Sequence, residues 1–269
     1  IAFLWHFDKA PIVFHHWRDG LRAAIEIIGR KHQVLWFVGE DVNPPQSTDY
    51  YLLWDDANSP AIAQFAKRGR VGLCLTTDLS LPIENLRLLD AVFCESNPVY
   101  EKVKQLGVCR AIKAFGTDTT FFTPAEEVVK DIEYFYPATF SPWKLQRNIA
   151  YLGKRLFCIG TVQPDGYEDY DACQSAGCRI SEGYFPVEKV REYYRRAQKV
   201  IIPAIHGSER TVLESMSMGI RPEVNPENKK AFSYIEELDK SGMAPRDFVV
   251  KHYSEQRYAE QLLKGIEKR

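Results

Sequence analysis

The sequence predicts an α/β protein built from two parallel, doubly wound units. Three observations carry this expectation. A length of 269 residues suits two small domains better than one. Short runs that are apolar on both faces alternate with helix-like stretches, the pattern of parallel strands covered on both sides. That alternation pauses at a polar stretch around Gly116 to Val128 and then starts again.

In the first half, Ile1 to Trp5 is a strand-like run. Asp19 reads as an N-cap for a helix from Gly20 to about Arg30, with Leu21, Ala24, Ile25 and Ile28 at helical spacing. Val34 to Val38, Tyr51 to Trp54, Gly72 to Thr76 and Ala91 to Glu95 follow as strands, with helix-like stretches at Pro60 to Arg68 and Pro98 to Gly107. The second half opens with a strand over Ile132 to Tyr136, a helix over Trp143 to Leu152 and a strand over Leu156 to Ile159. Next come a loop, a strand over Cys178 to Ser181, a helix over Val187 to Arg196, a strand over Val200 to Pro203 and a helix through Val212 to Met218. Tyr258, Leu262 and Ile266 share one face of a final helix from Ser254 to Lys268. The expected division is an N-terminal domain over 1–122, a C-terminal domain over 123–253, and a last helix over 254–269 available to pack back on the first domain.

Composition narrows the class. Apolar residues make up 45% and charged residues 26%, the balance of a folded chain rather than a disordered one. The formal net charge is -1, with no basic tail, which argues against nucleic acid as the main partner. Cys74, Cys94, Cys109, Cys158, Cys173 and Cys178 read as free thiols of a reducing compartment, so a cytoplasmic location is expected. Cys173 and Cys178 have no His or second Cys pair nearby, and zinc needs four ligands, so a plain structural role fits them better than a metal site. No segment approaches the roughly eighteen unbroken apolar residues of a membrane span. The chain opens at Ile1 in a strand-like run without a signal-peptide pattern, and the missing Met implies a few preceding residues.

Two common phosphate-binding motifs are absent. No Gly-x-Gly-x-x-Gly follows the first strand, and there is no Gly-Lys-Ser/Thr. The informative stretch is Pro203-Ala-Ile-His-Gly-Ser-Glu-Arg-Thr-Val-Leu-Glu-Ser-Met-Ser-Met-Gly219, which follows a strand and opens a helix. Gly207 permits a tight turn and Ser208 is placed to cap the helix. The amides near Arg210 and Thr211 then form an anion site suited to a diphosphate, with Glu214 placed to accept from a ribose diol. The alternative is a helix start with no ligand and Glu214 as a solvated helix residue.

These segments resemble the donor site of retaining glycosyltransferases of the GT-B fold, family 4 in particular. Glu214-Ser-Met-Ser-Met-Gly219 resembles that family's Glu-Ala-Met-Ala-x-Gly helix. Phe115-Gly-Thr-Asp-Thr-Thr-Phe-Phe-Thr-Pro124 is similar to its interdomain junction, and Phe140-Ser-Pro-Trp-Lys144 to the loop that carries its phosphate-binding Lys. Gly183-Tyr-Phe-Pro-Val-Glu-Lys-Val-Arg-Glu-Tyr-Tyr194 is similar to a further segment of the family, in the same order. The resemblance spans about Gly116 to Leu238. It implies two Rossmann-like domains facing each other across a cleft, with the acceptor on the first and a UDP- or GDP-type sugar on the second. The sugar nucleotide is then a co-substrate, and no separate cofactor and no metal are expected. The acceptor stays open between a glycan, a lipid, a small molecule, a protein and a modified nucleic-acid base, and so does the oligomeric state.

The resemblance also implies roles. Lys144 would neutralise the leaving diphosphate, and Glu214, Arg210, Thr211 and Gly207 would hold the donor. Tyr184 is a candidate contact to the base, and Gly20 to the donor phosphate, though Gly20 reads equally as part of an N-capped helix. Asp78 ends a strand and is either an acceptor-orienting base or a loop Asp bonded to its own backbone; His15 and His16 carry no specific signal. Two positions depart from the family. His206 stands where its first motif Glu is expected, and Thr139 where its Arg is expected, with Arg147 or Arg210 available to supply the charge. Two other classes therefore stay open: a sugar-nucleotide epimerase or hydrolase, and a nucleotide-sugar-binding protein that has lost catalysis.

Overall fold

Every strand pair among the described residues is parallel. The computed structural model describes residues 1–5, 20–38 and 44–267. The chain divides into two compact units, Ile1–Gly116 with Ser254–Arg269, and Thr117–Tyr253. The first runs β1 (Ala2–Trp5), α1 (Gly20–Ile28), β2 (Leu35–Val38), β3 (Tyr50–Asp55), α2 (Pro60–Ala66), β4 (Arg70–Leu75), α3 (Ile83–Leu86), β5 (Ala91–Cys94), α4 (Asn97–Leu106) and β6 (Arg110–Lys113). The second runs β7 (Ile132–Pro137), a 3₁₀ segment (Gln146–Arg155), β8 (Leu156–Gly160), α5 (Tyr167–Ser175), β9 (Arg179–Glu182), α6 (Val187–Arg196) and β10 (Ala197–Ile202). It continues through α7 (Glu209–Ser217), β11 (Glu223–Val224), α8 (Lys229–Ser241) and α9 (Pro245–His252). The last helix, α10 (Glu255–Glu267), returns to the first unit.

The first sheet has the order β2-β1-β3-β4-β5-β6. In β3, Tyr51 and Leu53 enter one core with Ile62, Phe65 and Val103, while Tyr50 and Leu52 enter another with Leu21, Ala24 and Ile28. Alternate side chains of a strand point to opposite faces, so both faces of this sheet are buried and its strands are apolar throughout. α10 lays Tyr258, Ala259, Leu262 and Ile266 against the α1 side of the sheet. Its approach is close: a Cβ at Gly265 would drive into the Phe93 ring of β5. Arg70 donates to the Ile266 carbonyl at 2.8 Å and Arg110 to the Gly265 carbonyl, so cations meet the negative end of this helix.

The second sheet has the order β11-β10-β7-β8-β9. Phe135, Phe157 and Tyr194 are buried along it, and Tyr194 stands edge-on to Phe135 and Phe122. The segment entering this unit is fastened by Asp118, whose carboxylate accepts from Thr120 Oγ1 at 2.7 Å and from the Phe121 amide at 2.8 Å. Arg246 then clasps three carbonyls, those of Ser217 (2.6 Å), Phe122 (3.1 Å) and Thr119 (3.4 Å).

Several elements differ from the sequence expectation. The helix expected over Trp143 to Leu152 is a 3₁₀ segment that begins at Gln146, after Leu145 turns left-handed, and that kinks at Gly153. The stretch expected as a loop between β8 and β9 contains α5. The expected N-cap Asp19, together with His15 and His16, lies outside the described residues.

Candidate functional site

The chain order in the second sheet creates a switch point between β7 and β10. From β7 the chain steps outward to β8 and β9, then returns to place β10 on the other side of β7. The connections leaving β7 and β10 therefore depart to opposite faces, and in open parallel sheets ligands bind at such a switch point, beyond the strand ends. Two loops occupy it. The loop after β7 carries Lys144, and the loop after β10 carries His206, Gly207 and Ser208. The Ile205 amide bonds to the Trp143 carbonyl at 3.0 Å and ties the loops together.

Lys144 points into the second loop. Its Nζ donates to Ser208 Oγ at 3.0 Å and to the His206 carbonyl at 3.2 Å. Gly207 has φ 71°, and a Cβ there would sit 2.7 Å from Lys144 Nζ. A residue with a side chain would thus be strained and would push the ammonium aside. Asn228 donates to the Gly207 carbonyl at 2.8 Å and also caps α8 by accepting from the Ala231 amide. Ser208 occupies the N-cap position of α7 but makes no side-chain cap bond, contrary to the expectation that it caps the helix. A helix start carries partial positive charge, so an ammonium and the α7 amides together favour an anion at this place.

Beyond the turn, Arg210 is exposed and Thr211 is buried in the first turn of α7. Glu214 is buried six residues past Ser208, about 9 Å along the helix axis at 1.5 Å per residue. It accepts from the Tyr194 hydroxyl at 3.1 Å. Burial, with the Glu214 charge beside it, pushes the Tyr194 phenol well above its usual range, so Tyr194 stays the donor. Glu209 at the start of α7 faces Lys230 at 3.4 Å, a pair almost closed to solvent.

The remaining candidates are exposed, engaged in other contacts or part of the other unit. Tyr184 is 73% exposed on the loop after β9. Arg147, one of the two cations expected to compensate for Thr139, pairs with Glu168 at 2.5 Å on the surface. Thr139 shares a hydrogen bond with Thr161 at 3.2 Å, between the loops after β7 and β8. Those loops pack so closely that a Cβ at Gly166 would overlap the Phe140 carbonyl. Asp78 and Gly20 belong to the other unit, where Lys102 reaches the Asp78 carboxylate at 3.2 Å and Gly20 opens α1. Among the described residues no group of three or more His, Cys, Asp or Glu could hold a metal ion.

Sequence reasoning missed Tyr136 and Asn228. Tyr136 is the next-to-last residue of β7, fully buried, with its hydroxyl 3.3 Å from Ser208 Oγ. Its position within an apolar run hid that polar tip. Asn228 sits in the Asn225-Pro-Glu-Asn228 turn, whose composition marks a helix cap but not its bond back to Gly207. A cavity of about 410 Å³ also opens in this unit, lined by Ile149, Ile201, Pro203, Val224 and Phe232 among others. None of the candidate catalytic or donor-binding residues lines it.

No protein-family model matches the chain, and no curated protein matches it in sequence. Solved structures do resemble it. An E. coli trehalose-6-phosphate structure bound with UDP-2-fluoro glucose superposes with a TM-score of 0.69 at 9% identity, over 100% of this chain and 99% of that one. A trehalose-6-phosphate synthase studied for enzymatic glycosyltransfer with retention gives a TM-score of 0.68 at 10% identity, over 98% of each chain. HepE from Anabaena, in complex with UDP and glucose, gives 0.63 at 11% identity, over 99% of each. At such low identity the likeness establishes architecture: the chain is an α/β protein of the GT-B fold, with parallel sheets of six and five strands among the described residues.

Proposed function

We propose that this chain is a glycosyltransferase that draws its sugar from a nucleoside-diphosphate donor bound to the second unit. The observation that carries the reading is the Lys144 ammonium, held at the start of α7 beside the switch point of the sheet. The GT-B fold and the UDP and glucose bound by a neighbour of that fold support it. The diphosphate rests on the first amides of α7 with Lys144 against it. Glu214, oriented by Tyr194, grips the ribose, His206 meets a sugar hydroxyl, and Tyr184 contacts the base. Arg210 and Thr211 offer the helix-start amides, and Gly207 allows close approach.

The chemistry follows from where charge develops. As the bond between the sugar and the diphosphate breaks, negative charge grows on the departing phosphate oxygen. Lys144 and the aligned amides stabilise that charge more than they stabilise the intact donor, which lowers the barrier. We infer retention and independence from metal, with Lys144 supplying the positive charge. The acceptor binds the first unit, where Asp78 orients its hydroxyl. A cytoplasmic location is part of the same proposal, supported by six free cysteines. No helix among the described residues is long and apolar enough to cross a membrane.

One observation favours a second reading, a nucleotide-sugar-binding protein without catalysis. Thr139, at the position of the family's second cation, carries no charge and bonds to Thr161, which leaves Arg147, paired with Glu168, or Arg210 to supply it. Nucleotide release separates the two. With the correct sugar nucleotide, a transferase releases nucleoside diphosphate when an acceptor is added. Tight donor binding with no release across glycan, lipid and small-molecule acceptors would favour the binding protein.

A further inference from the structure

Backbone strain among the described residues gathers around one ammonium. Two non-glycine residues there have positive φ, Leu145 at 52° and Ser208 at 75°. Leu145 directly follows Lys144, and Ser208 accepts the Lys144 hydrogen bond. Left-handed backbone is unfavourable for a residue with a Cβ, and such conformations persist where the surroundings enforce them, often at functional sites. Ser208 is also the residue type that ordinarily caps a helix, yet its hydroxyl makes no bond to the α7 amides. It lies between Lys144 Nζ at 3.0 Å and the Tyr136 hydroxyl at 3.3 Å. Tyr136 is fully buried, and burial raises its phenol far above the usual range, so it remains a neutral O–H.

We propose that Ser208 is a positioning residue: its strained backbone and its bond to Tyr136 fix the Lys144 ammonium at the mouth of α7 and leave the first amides of that helix for the anion. This rests on the donor site proposed above. Glycine adopts the left-handed conformation without penalty, so a chain lacking the Ser208 side chain gives up positioning while losing the strain. Removing the Tyr136 hydroxyl at the same time leaves no buried phenol without a partner.

The experiment uses the full chain as wild type, as the double variant Ser208→Gly with Tyr136→Phe, and as Lys144→Ala. UDP and GDP are titrated into each by calorimetry, and each is melted without nucleotide. The double variant is expected to melt at or above the wild-type temperature and to bind the preferred nucleotide roughly ten-fold more weakly, the effect of misplacing one charge-assisted contact. Unchanged affinity in the double variant, with Lys144→Ala impaired, would overturn the role of Ser208 and leave the donor site standing. A double variant that melts well below wild type would also overturn it, by marking the contact as one that holds the fold. If wild type binds neither nucleotide, the donor reading fails and this assignment fails with it.

Discussion

Tyr194 donates its phenolic hydrogen to Glu214 at 3.1 Å, joining the helix before β10 to the helix after it. The bond orients a carboxylate that is only 8% exposed. Tyr194→Phe keeps the ring and its edge-on contacts with Phe122 and Phe135 but releases the carboxylate. The expected cost in stability is about 1 kcal/mol, read from urea denaturation. Nucleotide affinity should fall several-fold, read by calorimetry. Wild-type affinity in this variant would show that Tyr194 supports packing alone.

Gly207→Ala tests the close approach of Lys144. The new Cβ would lie 2.7 Å from Lys144 Nζ, at a residue with φ 71°. The variant should lose about 1 kcal/mol of stability from the left-handed backbone and bind nucleotide more weakly, because the ammonium must move. A thermal melt and a calorimetric titration measure the two effects separately.

Gly166→Ala tests the packing of the loops after β7 and β8. A Cβ there meets the Phe140 carbonyl, which is backbone and has little room to yield. The expected loss is larger than at Gly207, about 2 kcal/mol or more, as for other overpacked or strained sites. A melting temperature equal to wild type would mean that the loop can shift at no cost.

Alkaline pH should weaken the fold. Burial raises the Cys94 thiol to about 12 from 9.0, and Cys109 to about 11. Burial also raises the phenols of Tyr136, Tyr194 and Tyr253 above their usual 10.0. Each group has a higher pKa folded than unfolded, so its contribution is fully present below the unfolded value and is lost as pH rises toward the folded one. Denaturation midpoints should hold steady up to about pH 8.5, where free thiols begin to ionise, and then decline through pH 11. A midpoint that stays flat over that range would show that these groups ionise freely in the folded chain.

Fold class was legible because apolar runs such as Tyr50 to Leu53 leave no polar face, which only a sheet covered on both sides accommodates. Short elements were less legible. β6 (Arg-Ala-Ile-Lys) lacks an apolar run, and β11 has only two residues, so neither shows a period. α5 (Tyr-Glu-Asp-Tyr-Asp-Ala-Cys-Gln-Ser) has a weakly segregated face and reads as polar loop. In the candidate site, Lys144 and the turn at Gly207 were marked by motif. The contact of Ser208 with Tyr136 was not, because it joins residues 72 positions apart through a hydroxyl within an apolar strand. The bond between Thr139 and Thr161 was hidden because it joins two loops 22 positions apart that no motif links.

The most direct measurement is a calorimetric panel of nucleoside-diphosphate sugars against wild type, Lys144→Ala and Glu214→Ala. One sugar nucleotide should bind wild type, and both variants should lose most of that affinity, on the order of 2 kcal/mol or more for each lost charged contact. Equal binding by all three proteins, or binding of none of the panel by wild type, would contradict a donor site built on Lys144 and the start of α7.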